Sequence, residues 1–94
     1  MRLKVVEKRV FLQAVHSVDP DAKVYLFGSR VDDSAKGGDI DLLVFSDKIT
    51  YEDKLAVKKA IFSCLDEQKI DLVVTKDGGE PFVQMVLDQG VQLL

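Results

Sequence analysis

Residues 27–44 read FGSRVDDSAKGGDIDLLV. One hydrophobic run ends at Gly28-Ser29, a mostly polar stretch follows, and a second hydrophobic run opens on Asp39-Ile40-Asp41. Alternate residues of a strand share a face, about 6.6 Å apart along it. Asp39 and Asp41 therefore present two carboxylates on one side, while Ile40 and Leu42 turn to the other. Gly28 lets backbone come close to a phosphate, and Ser29 offers both an N–H and a hydroxyl. Small turn residues suited to phosphate, beside acids suited to a hard cation, are the parts that phosphoryl or nucleotidyl transfer requires.

Outward from this stretch the chain reads as a scaffold. Residues 3–18 put Val6, Val10, Phe11, Ala14, Val15 and Val18 on one side of a helix and leave Lys4, Glu7, Lys8 and Gln13 to water. Asp19-Pro20 stops it, because the residue before proline disfavours helical angles. Lys23 to Phe27 is rich in β-favouring side chains and predicts a first strand. Residues 30–38 are too few for a full helix with two connections, so they are expected to form a loop with at most one helical turn. Asp39 to Phe45 is the second strand, its later half continuously apolar, as in a strand buried on both faces.

Thr50 with Asp53 resembles a capping box, and Leu55, Ile61, Phe62 and Leu65 are expected to form the inward side of the helix behind it. Lys54, Lys58, Lys59 and Glu67 are left for solvent. Ile70 to Thr75 gives a third strand, and Lys76-Asp77-Gly78-Gly79 a turn. Pro81 suits the first turn of a last helix and Gly90 its end, with Phe82, Val83, Val86 and Leu87 on the apolar side. The order α-β-β-α-β-α predicts an α/β (α+β) fold: a small mixed sheet with helices on one face, in one domain spanning residues 1–94.

A helix long enough for a crossover separates the second and third strands, so these are expected to be parallel. Both open on an acid, which brings Asp71 to the same sheet end as Asp39 and Asp41. If the first strand runs antiparallel to the second, Gly28-Ser29 reaches that edge too. An all-oxygen set of Asp39, Asp41 and Asp71 favours Mg²⁺ or Mn²⁺ over zinc. Three crowded aspartates repel one another without a cation. Asp71 is placed to ligate the metal on the nucleophile side or to accept a proton. Arg30 is a candidate clamp for a triphosphate, or a surface salt bridge. Taken singly, a Gly-Ser pair is a turn and strand-edge acids aid solubility; their convergence carries the functional reading.

Bulk properties narrow the classes. Ninety-four residues exclude two full cores. A net charge of −3 argues against a broad DNA or RNA footprint but not against a single nucleotide. One cysteine, Cys64, excludes an internal disulfide and suits a reducing cytoplasm; it is expected as a small buried residue rather than a nucleophile. His16 is expected to be structural or exposed. The charged N-terminal segment has no uninterrupted apolar core, so neither a signal peptide nor a membrane span is expected.

Gly28-Ser29, nine residues, then Asp39-Ile40-Asp41-Leu42 resembles the signature of the DNA polymerase β-like nucleotidyltransferase superfamily. The FGSR and DIDLLV wording is similar to its minimal nucleotidyltransferase (MNT, MntA-like) branch. The resemblance implies the nucleotidyltransferase fold, with Gly28 and Ser29 in the nucleotide-phosphate loop, Asp39 and Asp41 as metal ligands, and Asp71 as the third carboxylate. It further implies ATP as nucleotide donor and a HEPN-domain ribonuclease toxin as partner, with AMP transferred to a tyrosine of that toxin. The loop departs from the pattern: it reads SRVDDSAKGGD where many relatives carry a basic stretch like SRARG.

Leu43, Phe45 and Val73 are expected on the same sheet face as the acids, opposite the helices. An open apolar face there would mark an interaction surface, unless the last helix or the loop covers it. Three functions follow: an enzyme adenylylating a partner's hydroxyl as an antitoxin, an antitoxin that only binds, or transfer to a small molecule, for which a homo- or hetero-oligomer could build the second substrate site.

Overall fold

The computed structural model describes residues 5–28, 40–64 and 70–94. The elements are α1 (Val5–His16), β1 (Lys23–Phe27), β2 (Ile40–Phe45), α2 (Tyr51–Cys64), β3 (Ile70–Thr75), α3 (Pro81–Gln89) and β4 (Gln92–Leu93). They follow the order expected from the sequence, with one addition at the C-terminal end. β4 is a two-residue strand too short to carry an alternating pattern. It pairs antiparallel with β1, and Leu94 N–H extends the contact to the Val24 carbonyl at 2.9 Å.

The sheet order is β3-β2-β1-β4. β2 and β3 are parallel, joined by α2, and β1 is antiparallel to β2. The parallel relation was expected, since a crossover helix permits it; the antiparallel relation meets the condition under which Gly28 reaches the acids' edge.

The sheet is apolar on both faces. Ile40, Leu42, Val44, Ile70 and Leu72 pack with Val24 and Leu26 of β1 under Phe11, Ala14 and Val15 of α1 and Val57 and Ile61 of α2. Each fully buried aliphatic side chain there contributes about 1.5–3 kcal/mol relative to exposure. Leu43, with Tyr25, Phe27, Phe45 and Val73, faces the other way and packs against Val83, Val86 and Leu87 of α3. Helices therefore lie on both faces, which corrects the expectation of helices on one face. The physical reason is that β2 is buried on both sides, and α3 supplies the second cover.

Two helix faces also differ in detail. α2 turns Val57 and Ile61 inward, whereas Leu55 and Phe62 are exposed at 49% and 45%; Leu65 and Glu67 lie outside the described residues. Residues 57 and 61 form an i, i+4 stripe, and the apolar positions on either side of it outnumber what one stripe can bury. In α1, Val6 is exposed and Glu7 buried, the reverse of the expected pattern at those two positions. Cys64 is exposed, not buried, at the last position of α2.

Local chemistry sets the element ends. Thr50 N–H donates to Asp53 Oδ2 at 3.1 Å and Asp53 N–H to Thr50 Oγ1 at 3.2 Å, the reciprocal pair of a capping box. Beyond α1, Asp19 is almost fully buried. It accepts from Ser46 Oγ at 2.6 Å and from Asp21 N–H at 3.0 Å, tying the end of α1 to the end of β2. Ser46 Oγ in turn accepts the N–H groups of Lys48 and Ile49. His16 Nε2 donates to the Ala22 carbonyl at 2.9 Å, a structural bridge between α1 and the start of β1. The turn before α3 is a glycine turn as expected: Gly78 has φ +79°, and a Cβ there would sit 2.9 Å from the Phe45 ring.

Candidate active site

Strand register builds the site. Phe27, the last residue of β1, lies opposite Asp41 of β2, and Asp41 lies opposite Asp71 of β3. Neighbouring strands are about 4.8 Å apart, so the two acids are adjacent in one row at one end of the sheet. Ile40, Leu42, Ile70 and Leu72 point into the layer under α1 and α2. Alternation then puts Asp41 and Asp71 on the opposite face, the one that α3 covers further along. Asp41 is half-buried and Asp71 exposed.

Gly28 closes the row. Its φ is +79°, a region that favours glycine. A Cβ at this position would fall 2.2 Å from Asp41 Oδ2 and 3.2 Å from its Cγ. The backbone after β1 thus lies directly against the Asp41 carboxylate, and only a residue without a side chain permits the approach. Of the residues read as functional from the sequence, Gly28, Asp41 and Asp71 come together in this way. Ser29, Arg30 and Asp39 lie outside the described residues.

A model of the polymerase beta, nucleotidyltransferase family matches residues 14–94. That span takes in the whole sheet, α2, α3, Gly28 and both acids. The chain belongs to the polymerase β nucleotidyltransferase family. No curated protein matches it. Nucleotidyl transfer is therefore the general activity to which this geometry is fitted.

The nucleotidyltransferase family works with a nucleoside triphosphate and a divalent metal, and the donor set here suits such an ion. Asp41 and Asp71 are hard, anionic oxygen donors side by side, the chemistry that Mg²⁺ or Mn²⁺ prefers. Among the described residues no group of three or more His, Cys, Asp or Glu side chains could hold a metal; Asp39, the other acid of the Asp-x-Asp pair, falls outside that set. When bound, the metal would neutralise phosphate charge and polarise the reacting phosphorus. The chain itself contributes two carboxylates, one half-sheltered and one open to an incoming acceptor, together with the unobstructed backbone of Gly28.

Two aromatic residues near the site were given no functional role from the sequence, Phe27 being read as a β-favouring strand residue and Phe82 as part of the apolar side of the last helix. Phe27, across from Asp41, meets Phe82 of α3 edge-to-face at 6.4 Å between ring centroids. Phe82 remains 50% exposed, so it is a wall and not a core residue. The adjacency of Phe27 to Gly28 in the sequence was the available signal.

A separate cleft of about 570 Å³ opens at the opposite end of the sheet, among Tyr25, Phe45, Ser46 and Lys76. Two of its acids, Asp19 and Asp21, are engaged by neighbouring groups. The Ser46 hydrogen bond holds the Asp19 carboxyl below its ordinary value, aided by the Asp21 N–H, Lys48 and His16 and opposed by burial. Lys48 Nζ also lies 3.8 Å from Asp19 and from Asp21. That network is structural, and it is distant from the Asp41–Asp71 row. No described helix is long and apolar enough to cross a membrane.

Proposed function

We propose that this nucleotidyltransferase transfers AMP from ATP, with Mg²⁺, to a hydroxyl of a protein partner, a tyrosine of a HEPN-type ribonuclease toxin, and so acts as an antitoxin in the cytoplasm. The observation that carries nucleotidyl transfer is the row Gly28, Asp41, Asp71, in register across three strands. The finer reading is supported by the FGSR and DIDLLV wording of the motif, which resembles the minimal branch of the family.

In the transfer, the acceptor oxygen attacks the α-phosphorus in line with the leaving pyrophosphate. A new O–P bond forms as the bond to the bridging oxygen of pyrophosphate breaks. The acceptor's proton passes to a carboxylate at its side, for which Asp71 is the exposed candidate. Asp41 and Asp71, with Asp39, would hold the metal; Gly28 and Ser29, with Arg30, would receive the triphosphate.

The test is incubation of the protein with α-labelled ATP, Mg²⁺ and a HEPN-type ribonuclease as candidate partner. Label on a partner tyrosine, lost in Asp39→Ala/Asp41→Ala, is the expected outcome. Neutralisation of the partner that survives the double substitution, with no label transferred, overturns the proposal in favour of inhibition by binding alone.

A further inference from the structure

The acid row accounts for phosphate and metal but leaves the rest of the nucleotide without a surface. α3 supplies one. Val83 and Val86 face the sheet, against Leu43. On one flank of the helix, Gln84 Nε2 donates to the Gly78 carbonyl, and Leu87 packs with the same apolar group. Phe82 occupies the other flank, where its ring meets Phe27, the residue directly across from Asp41. Met85, three residues on, continues that flank by helical geometry. Phe82 and Met85 are 50% and 48% exposed. An aromatic ring thus stands at the acid end of the sheet, on the acids' own face, with a polarisable thioether on the same flank of its helix.

Both residues could have been turned inward. Phe82 is the largest apolar side chain of α3 (Pro81–Gln89), yet two valines take the buried positions. A flat, polarisable and accessible surface beside a phosphate-handling site suits a heteroaromatic ring, which stacks on aromatic side chains irrespective of its edge pattern.

Resting on the nucleotidyl-transfer reading above, we propose that Phe82, flanked by Met85, is the shelf on which the base of the nucleoside triphosphate stacks. The triphosphate runs from this shelf to Gly28 and the carboxylate pair. Phe27 acts as a positioning residue: its ring braces Phe82 from the sheet.

The experiment compares binding of ATP and inorganic tripolyphosphate, each with Mg²⁺, by calorimetry on the full chain. Tripolyphosphate carries the charge without the base. Phe82→Ala is expected to weaken ATP binding on the order of tenfold, as loss of one base–aromatic stack does, and to leave tripolyphosphate binding unchanged. Phe82→Tyr restores ATP affinity. The chain contains no tryptophan, so Phe82→Trp introduces a single indole whose fluorescence ATP should quench and tripolyphosphate should not. Equal weakening of both ligands in Phe82→Ala, or quenching by both in Phe82→Trp, overturns the shelf. If Asp41→Asn abolishes binding of both ligands while Phe82→Ala alters neither, nucleotidyl transfer stands and the shelf falls. If the unsubstituted chain binds neither ligand, both fall together.

Discussion

Gly28→Ala separates what the site needs from what the fold needs. The substitution does two things at once. It forces a side chain into a backbone with φ +79° and places a methyl group 2.2 Å from Asp41 Oδ2. The first costs about 1–2 kcal/mol, the penalty for an L-residue in the left-handed region. The second is met by displacing the far end of the half-buried Asp41 side chain rather than backbone. Relief to ordinary contact, however, requires the carboxylate oxygen to retreat by roughly an ångström, a misplacement that can cost about 100-fold in rate. The expected result is thus a modest loss of stability, roughly 5–15 °C in Tm for a domain of this size, alongside a loss of nucleotidyl transfer on the order of 100-fold.

Gly78→Ala is the control. Its φ is also +79°, but the Cβ would lie 2.9 Å from the Phe45 ring, which is held edge-to-face against Tyr25 at the far end of the sheet. A braced ring yields less readily than a carboxylate, so Gly78→Ala should lose at least as much stability and keep its transfer activity at permissive temperature. Urea denaturation and Mg²⁺-dependent transfer from labelled ATP, run on both variants, supply the comparison. If Gly28→Ala transfers nucleotide as well as the unsubstituted chain, or if the two variants lose activity only in proportion to stability, the placement of Gly28 against a working Asp41 is wrong.

Other outcomes follow from the same geometry. Asp71→Asn removes an exposed carboxylate, so thermal unfolding should be nearly unchanged while Mg²⁺-dependent transfer falls by roughly 100-fold or more, the scale of losing a charged group that acts in the transition state. Val57→Ala should destabilise by about 2 kcal/mol, two buried methyl groups plus a residual cavity, whereas Leu55→Ala on the exposed side of the same helix should stay within about 0.5 kcal/mol; urea titrations distinguish them. Asp19 has a folded pKa below the ordinary 3.8, with the Ser46 hydrogen bond as the first cause. Its stabilising contribution is therefore complete above the unfolded pKa and is lost as pH falls from about 4 through the lower folded value. Asp19→Asn should flatten this part of the acid-unfolding curve, and Ser46→Ala should move the Asp19 carboxyl back toward its ordinary titration, as followed by NMR.

Much of the chain's local structure was legible before folding. The proline after Asp19 ends a helix wherever the chain goes, and Thr50 with Asp53 makes a cap from four consecutive residues. Asp41 and Asp71 each stand at the head of a hydrophobic run, and a crossover-length helix between those runs permits parallel strands. Their meeting in register therefore follows from sequence and connection length. Periodicity was less informative in α2, where Leu55 and Phe62 are as apolar as the buried Val57 and Ile61. Composition ranks side chains by hydrophobicity, but the rotation of a helix on its sheet is set by which stripe fits.

What the sequence determined by itself was the acid row and the strands that carry it, because alternation along a strand is a local property of the backbone. The tertiary structure decided which face α3 covers. Both faces of β2 are apolar, and α3's own pattern names its sticky side without naming the surface it will meet. By settling on the acids' face, α3 brought Phe82 to Phe27, while the antiparallel pairing of β1 with β2 set Gly28 against Asp41. Both contacts join segments distant in sequence, and only packing could bring them together.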